Sequence, residues 1–241
     1  MRLDKYLAQA TGQSRKDVKR LIHAWLVSVN GEPERDSGRH ILETDEVEVE
    51  GTLLSQPRPL YIMLYKPEGY VCATDDPTHP TVLTLIDSPR ANALHIAGRL
   101  DIDATGLVLL TDDGKWSHQV TSPKHKTDKL YHVSLADPLD ANAEALFETG
   151  LLLKGETQRT KPARLERIDE THCWVTLTEG RYHQVKRMFA ALGNRVTELH
   201  RQRIGRVELD ENLSPGEYRE LTPEEIRDVN LERTETDNAA R

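Results

Sequence analysis

Gly98-Arg99-Leu100-Asp101-Ile102-Asp103-Ala104-Thr105-Gly106-Leu107 is the stretch on which the reading of this chain turns. Apolar residues precede it (Leu94, Ile96, Ala97) and an apolar run follows it (Leu107 to Leu110). That pattern reads as strand, polar loop, strand. Its two glycines permit tight backbone geometry at either end. Between them stand one arginine and two carboxylates, a set that a short loop presents either to solvent or to a substrate.

Composition bounds the alternatives. Of the 241 residues, 37% are hydrophobic and 30% charged, which supplies a core under a strongly polar surface. The length fits one or two domains. No run of eighteen apolar residues occurs, so no membrane-spanning helix is expected. Met1–Lys5 lacks the apolar core of a signal peptide. Cys72 and Cys173 are far apart and without metal-ligand spacing, which points to two free thiols in a reducing cytoplasm. The net charge of −8 argues against nucleic acid only as an average. Residues 1–24 hold six basic side chains against two acidic ones, and residues 178–206 hold seven against two. Residues 207–241 hold four against eleven. The acid is concentrated at the C-terminal end, which leaves two locally basic segments.

Residues 1–50 read as a small module. Leu3 and Leu7 share a helix face, and Thr11-Gly12 ends that helix. Ser14 caps a second helix with Asp17 three residues on, a variant of the capping box. Val18, Leu21 and Ile22 form its apolar stripe, and Arg15, Lys16, Lys19 and Arg20 lie largely off it. Val27 and Val29 alternate, Asn30-Gly31 signals a hairpin, and Val47 and Val49 close a last strand. Arg2-Leu3-Asp4-Lys5-Tyr6-Leu7, Ser14-Arg15-Lys16, Leu21-Ile22, Val27–Gly31 and Asp45-Glu46-Val47 together resemble the S4 RNA-binding domain. The resemblance implies that Arg2, Lys5, Arg15, Lys16, Lys19 and Arg20 contact RNA phosphates, which gives affinity with little sequence information. Trp25 departs from the pattern, because that family usually has a small residue there. At positive φ a tryptophan carries a penalty of roughly 1–2 kcal/mol, so a different turn is expected.

Residues 51–59 have linker composition. Strands are expected at Leu60–Tyr65, Leu130–Leu135, 163–168, 173–178, 196–203 and 206–209. Helices are expected at 115–121, 140–149 and Tyr182–Leu192, the last ended by Gly193-Asn194. Thr222-Pro223-Glu224-Glu225 starts a final helix with a cap, a first-position proline and first-turn acids. Lys124, His125, Lys126 and Lys129 form a basic cluster, and residues 232–241 have the composition of a disordered tail. Asp75, Asp76 and His79 lie in a proline-stiffened loop with no third strong ligand, so no metal site is expected. Strands and helices without regular βαβ alternation give an α+β fold.

Four short stretches then recur in an informative order. They are Lys66-Pro67-x-Gly69, Gly98 to Gly114, Lys129-x-Tyr131, and Glu179-Gly180-Arg181-Tyr182-His183-Gln184-Val185-Lys186-Arg187-Met188-Phe189. Together they resemble the pseudouridine synthase superfamily, in its RsuA branch of ribosomal-RNA enzymes, for which an N-terminal S4 module is usual. The resemblance implies an S4-like module with its linker over 1–57 and a catalytic domain over 58–231. That domain is expected to be a mixed, largely antiparallel sheet with flanking helices. Tyr182–Lys186 is similar to the small-subunit enzymes, whereas large-subunit relatives tend to carry Asn-Arg-Gln-Ile-Arg there. The expected activity is isomerisation of one uridine to pseudouridine in 16S ribosomal RNA, free or in an assembling small subunit. The same chemistry on 23S RNA, or an inactive assembly factor, are the alternatives. A monomer is expected.

The chemistry assigns roles. The reaction breaks the C1′–N1 bond and rejoins the base through C5, with no redox step, so no cofactor is implied. A carboxylate nucleophile divides this into easier steps, and the resemblance gives that role to Asp101, which directly follows Arg-Leu, in preference to Asp103. An ionised aspartate in a closed pocket needs a cation. Lys186 matches the family position and Arg187 is the other candidate, but adjacent helical residues point about 100° apart, so only one is expected to reach. Tyr131 matches the tyrosine that stacks on the base. Arg99 either fills the space left by a flipped base or braces the loop. Arg181 and Arg187 are further RNA-binding candidates. His183 and Gln184 read as structural, and His95, His118, His125 and His200 carry no spacing that marks a site.

Overall fold

The computed structural model describes residues 1–122 and 127–229. The cluster Lys124, His125 and Lys126 and the tail 232–241 lie outside the described residues. The chain divides into two compact units. One is Met1–Pro59 with Ile86–Leu94, and the other is Leu60–Leu85 with the rest of the chain from His95.

The first unit opens with α1 (Leu3–Thr11) and α2 (Arg15–His23). Leu3, Tyr6 and Leu7 of α1 and Val18 and Ile22 of α2 are buried against each other and against Val27, Val29, Ile41 and Val47. Gly12 ends α1 in the left-handed region (φ 72), where a side chain would run into Pro89. The Ser14 hydroxyl accepts from the Asp17 amide and donates to the Asp17 carboxylate, so Ser14 caps α2, without the backbone half of a full capping box. Four short strands follow: β1 (Val27–Val29), β2 (Glu32–Pro33), β3 (Val47–Val49) and β4 (Thr52–Leu53), in the order β2-β1-β3-β4. Asn30 and Gly31 both take positive φ between β1 and β2, as a two-residue hairpin of this twist requires. Glu50 and Gly51 repeat that turn between β3 and β4. The expected linker therefore begins as a return strand. Its Gly-Thr start reads as unstructured only if Glu50, an uncommon residue at positive φ, is not recognised as half of a turn.

Trp25 corrects a second expectation. The turn after α2 is kept, with Trp25 itself at φ 62 and its amide donating to Ile22. The residue is 58% exposed.

The second unit contains β5 (Tyr61–Lys66), β6 (His95–Ala97), β7 (Thr105–Thr111), α3 (Gly114–Thr121), β8 (Lys129–Leu135) and α4 (Ala143–Thr149). Then come β9 (Arg164–Arg167), β10 (His172–Leu177), α5 (Gln184–Ala191), β11 (Val196–Ile204), β12 (Val207–Glu208), β13 (Tyr218–Glu220) and α6 (Pro223–Asp228). The sheet runs β13-β5-β7-β11-β8-β10-β9, with β6 on β7 and β12 on β11. Its pairs are antiparallel except β7 with β11. This is the mixed α+β architecture expected. On one sheet face Met63, Leu107, Leu109 and Ile204 pack beneath Trp116 and Val120 of α3 and beneath Leu221 and Val229. The Trp116 indole N–H donates to the Ile226 carbonyl, tying α3 to α6. The Thr222/Glu225 capping box with Pro223 starts α6. No helix among the described residues is long and apolar enough to cross a membrane.

Gly106 is the residue the parallel pair cannot do without. It takes φ 106, and a Cβ there would lie 2.3 Å from the Arg201 carbonyl oxygen and 2.7 Å from its nitrogen. Gly155 takes φ 82 with nothing within 4 Å of the same position. Gly106→Ala is expected to lose about 3 kcal/mol of unfolding free energy, strain plus overpacking. Gly155→Ala is expected to lose about 1 kcal/mol, from strain alone. Denaturant midpoints of the two variants measure the difference, and equal losses would show that β7 and β11 do not approach this closely.

Candidate active site

The loop 98–106 is held by its backbone. Lys66, at the end of β5, is fully buried, and its Nζ donates to the carbonyls of Pro67 (2.9 Å), Ile102 (3.2 Å) and Ala104 (2.6 Å). Arg201 of β11 is 1% exposed. Its Nε donates to the Leu107 carbonyl (2.8 Å), Nη1 to Arg99 (3.2 Å) and Nη2 to Gly98 (2.7 Å). The Gly69 amide adds a bond to the Ile102 carbonyl (2.9 Å), and the Leu100 amide donates to Cys72 Sγ (3.3 Å). Within the loop the Ala104 amide closes a turn on the Asp101 carbonyl. Burial pulls the Lys66 ammonium below its ordinary pKa, against the attraction of Asp103 and Asp101 among others.

Sheet register explains why these groups meet. Lys66 pairs with Gly106, Gly106 with Arg201, and Arg201 with Tyr131. Directly paired residues point to the same face, so Lys66, Arg201 and Tyr131 share one face. Gly106 leaves room between them, and buried Tyr131 lies one strand beyond Arg201. Lys129, two residues before Tyr131, shares that face, and burial and the Arg201 charge push its pKa down to about 8.

The carboxylates face α5. Asp101 Oδ2 lies 3.1 Å from Lys186 Nζ, and Asp101 Oδ1 lies 3.3 Å from His183 Nε2. Lys186 also donates to Asp103 Oδ1 at 2.5 Å. Burial works against the Lys186 charge, but its bonds to Asp103 and Asp101 prevail and hold its pKa above the ordinary value. Burial likewise opposes the Asp103 charge, and the Lys186 bond outweighs it, so this carboxyl sits below its ordinary range. One ammonium thus bridges both carboxylates.

Arg187 does not reach Asp101. One turn-step round the helix, it pairs with Glu156 (2.6 Å) and donates to the carbonyls of Tyr182 and Lys154. Arg181 also pairs with Glu156, and with Glu179 (3.4 Å) and the carbonyls of Gln158 and Arg159. Both arginines, expected at the RNA, brace the segment 154–159. Their charge is legible in sequence, whereas their common partner Glu156, some thirty residues away, is not.

His183 is the residue that sequence reasoning passed over. It occupies the left-handed region (φ 46, ψ 39) just before α5, which starts at Gln184 instead of the expected Tyr182. Tyr182 stacks on the His183 ring with centroids 3.7 Å apart and is itself 77% exposed. The signal available was the short run Tyr-His before a helix, histidine being one of the few residues that tolerate this backbone. Arg99 is exposed, and its side chain has no polar partner among the described residues.

In the first unit Arg2 pairs with the buried carboxylate of Asp4 (3.1 Å) and Arg20 with Asp17 (2.9 Å). Arg15, Lys16 and Lys19 are exposed without an ion pair among the described residues. Asp76 is occupied by the amides of Thr78 and His79 as a turn cap. Among the described residues no group of three or more His, Cys, Asp or Glu side chains could hold a metal ion.

The family profile described as RNA pseudouridylate synthase matches residues 60–191, the span that contains this loop and its cations. The chain belongs to that family. An S4 domain profile matches residues 1–47 of this pseudouridylate synthase. Ribosomal small subunit pseudouridine synthase A of Escherichia coli (strain K12) is 54% identical over 230 residues, covering 95% of this chain and 100% of that protein. The protein of the same name from Pasteurella multocida (strain Pm70) is 52% identical over 231 residues, again covering 95% of this chain and 100% of that protein. A solved structure described as a pseudouridylate synthase is similar with TM-score 0.69 and 50% identity, covering 95% of this chain and 99% of that one.

The buried Lys129 ammonium gives a pH signature. Its folded pKa lies below the ordinary lysine value, so between about pH 8 and 10.5 the unfolded chain binds more protons than the folded one. Stability contributed at this site therefore rises with pH across that window. The unfolding free energy of the wild type relative to Lys129→Met is expected to increase from pH 8 to pH 10 by about 1 kcal/mol per unit or less. Paired denaturant titrations read this, and a flat difference would mean that Lys129 keeps an ordinary pKa.

Proposed function

We propose that this pseudouridylate synthase converts one uridine of small-subunit (16S) ribosomal RNA into pseudouridine in the cytoplasm, with Asp101 as its nucleophile. The relatives of like length and above half identity carry small-subunit synthase names. The observation that carries the reading is the bridge from Lys186 to both Asp101 and Asp103 on a loop clamped by Lys66 and Arg201.

Isomerisation breaks the C1′–N1 bond, turns the base and joins C1′ to C5. C5 gives up its proton and N1 takes one, so atoms balance without a redox partner or cofactor. Attack by Asp101 at C1′ or at C6, and its action as a base in a glycal route, all call for an ionised carboxylate. Lys186, held protonated, places its ammonium 3.1 Å from Asp101 Oδ2. Oδ1, away from Lys186, is the oxygen nearer His183. The target uridine must leave the helix stack before C1′ and C5 are accessible. Arg99, exposed and unpaired on the same loop, suits the vacated position, and Tyr131 suits a base packed above Arg201. The S4 module supplies the grip on RNA through Arg15, Lys16 and Lys19, with Arg2, Lys5 and Arg20 beside them.

Tritium release from C5-labelled 16S RNA is the direct assay. Asp101→Asn is expected to lower the rate at least about 1,000-fold, as removal of a nucleophile does. Lys186→Met is expected to lower it about 100-fold through lost electrostatic support. Lys186→Arg keeps the charge and is expected to stay within about tenfold of wild type. Equal inactivity of wild type and Asp101→Asn on a competent ribosomal substrate would identify an RNA-binding assembly factor, and equal activity would remove Asp101 from the nucleophile's role. A deletion strain is expected to lose one pseudouridine from 16S RNA, and loss from 23S RNA with 16S unchanged would reassign the substrate.

A further inference from the structure

Trp25 is held in a conformation that its own fold gains nothing from. Its φ of 62 carries a penalty of roughly 1–2 kcal/mol for an L-residue with a side chain. Burial does not offset this, because Trp25 is 58% exposed. A glycine would satisfy the turn at lower cost. The Arg35 guanidinium carbon lies 4.8 Å from the Trp25 ring centroid. The Arg35 side chain is otherwise exposed and has no acidic partner among the described residues. One indole face is therefore covered by a planar cation whose charge is unspent, while much of the ring remains open. Trp25 also directly follows α2, which carries the exposed Arg15, Lys16 and Lys19.

We infer that Trp25 and Arg35 form a stacking site for an unpaired nucleobase of the RNA substrate, a reading that rests on the RNA-modifying function proposed above. The open indole stacks on the base face, and the guanidinium donates to the adjoining phosphate. Paired bases hide their faces in the stack, so the ligand is a single-stranded nucleotide beside a helical region gripped by α2. The turn's hydrogen bonds fix the backbone, and a tryptophan stands there in place of a glycine because its ring is used in binding instead of in packing.

The test uses the full-length protein titrated with transcribed 16S RNA over a range of KCl concentrations. Trp25→Gly is expected to weaken binding roughly tenfold. The slope of log affinity against log salt is expected to stay unchanged, because no ionic contact is removed. The same variant is expected to unfold at or above the wild-type midpoint, which a structural role would not allow. Trp25→Phe, which keeps a ring, is expected to retain most of the affinity. Arg35→Ala is expected to weaken binding and reduce the salt slope by about one. Wild-type affinity in Trp25→Gly would overturn the inference, as would equal weakening of both Trp25 variants with lowered midpoints. Wild-type protein that neither binds nor modifies the RNA would overturn the function proposed above together with this site. Intact modification alongside undiminished Trp25→Gly binding would overturn this site alone.

Discussion

The site depends on two buried cations that spend their donors on backbone. Lys66 and Arg201 approach the 98–107 loop from the two strands that flank β7 and satisfy the carbonyls of Gly98, Arg99, Ile102, Ala104 and Leu107. Burying a charge without partners is prohibitive, and each carbonyl left unpaired in the same place adds a smaller cost of its own. Each problem is the solution to the other. A loop with this many carbonyls turned inward has little choice of conformation, because every alternative strands either a cation or several acceptors. The side chains that remain, Arg99, Asp101 and Asp103, are thereby directed outward from a nearly fixed frame.

The arrangement also accounts for a positive site in an acidic protein. Lys66, Arg201 and Lys186 contact the loop, and Lys129 shares the sheet face of Lys66 and Arg201. The acids that dominate the net charge are concentrated in the C-terminal stretch. Arg181 and Arg187 are neutralised by Glu156 and Glu179, so they add structure to this region more than potential.

Much of this was legible from sequence, and the boundary is instructive. The strand-loop-strand pattern around Asp101, the caps of α2 and α6, the Asn30-Gly31 hairpin and the mixed sheet all follow from local signals that act within a few residues. The choice between Lys186 and Arg187 came down to a helical angle, and one of the two reaches the loop. What was not legible depends on contacts between distant residues. Arg201 counted only as one of seven charges in a basic segment, and nothing near it announces a bond to Gly98. His183 read as structural because its contact with Asp101 arises from a left-handed backbone, which spacing does not reveal. Trp25 shows that a local penalty does not by itself forbid a conformation when hydrogen bonds on both sides of the turn fix the path.

The parallel pairing of β7 with β11 sets an order of events during synthesis. Translation delivers the chain from its N-terminus, and contacts between distant residues are slow to form. The loop emerges with Lys66 already made, but Lys186 follows some eighty residues later and Arg201 about a hundred. Until β11 docks beside Gly106, the carbonyls of Gly98, Arg99 and Leu107 lack their donor, and until α5 is in place Asp101 lacks its counterion. An incompletely made chain thus carries its basic N-terminal module without a formed carboxylate site. Competence arrives together with β11, so the fold itself ties the onset of chemistry to the docking of that strand beside β7.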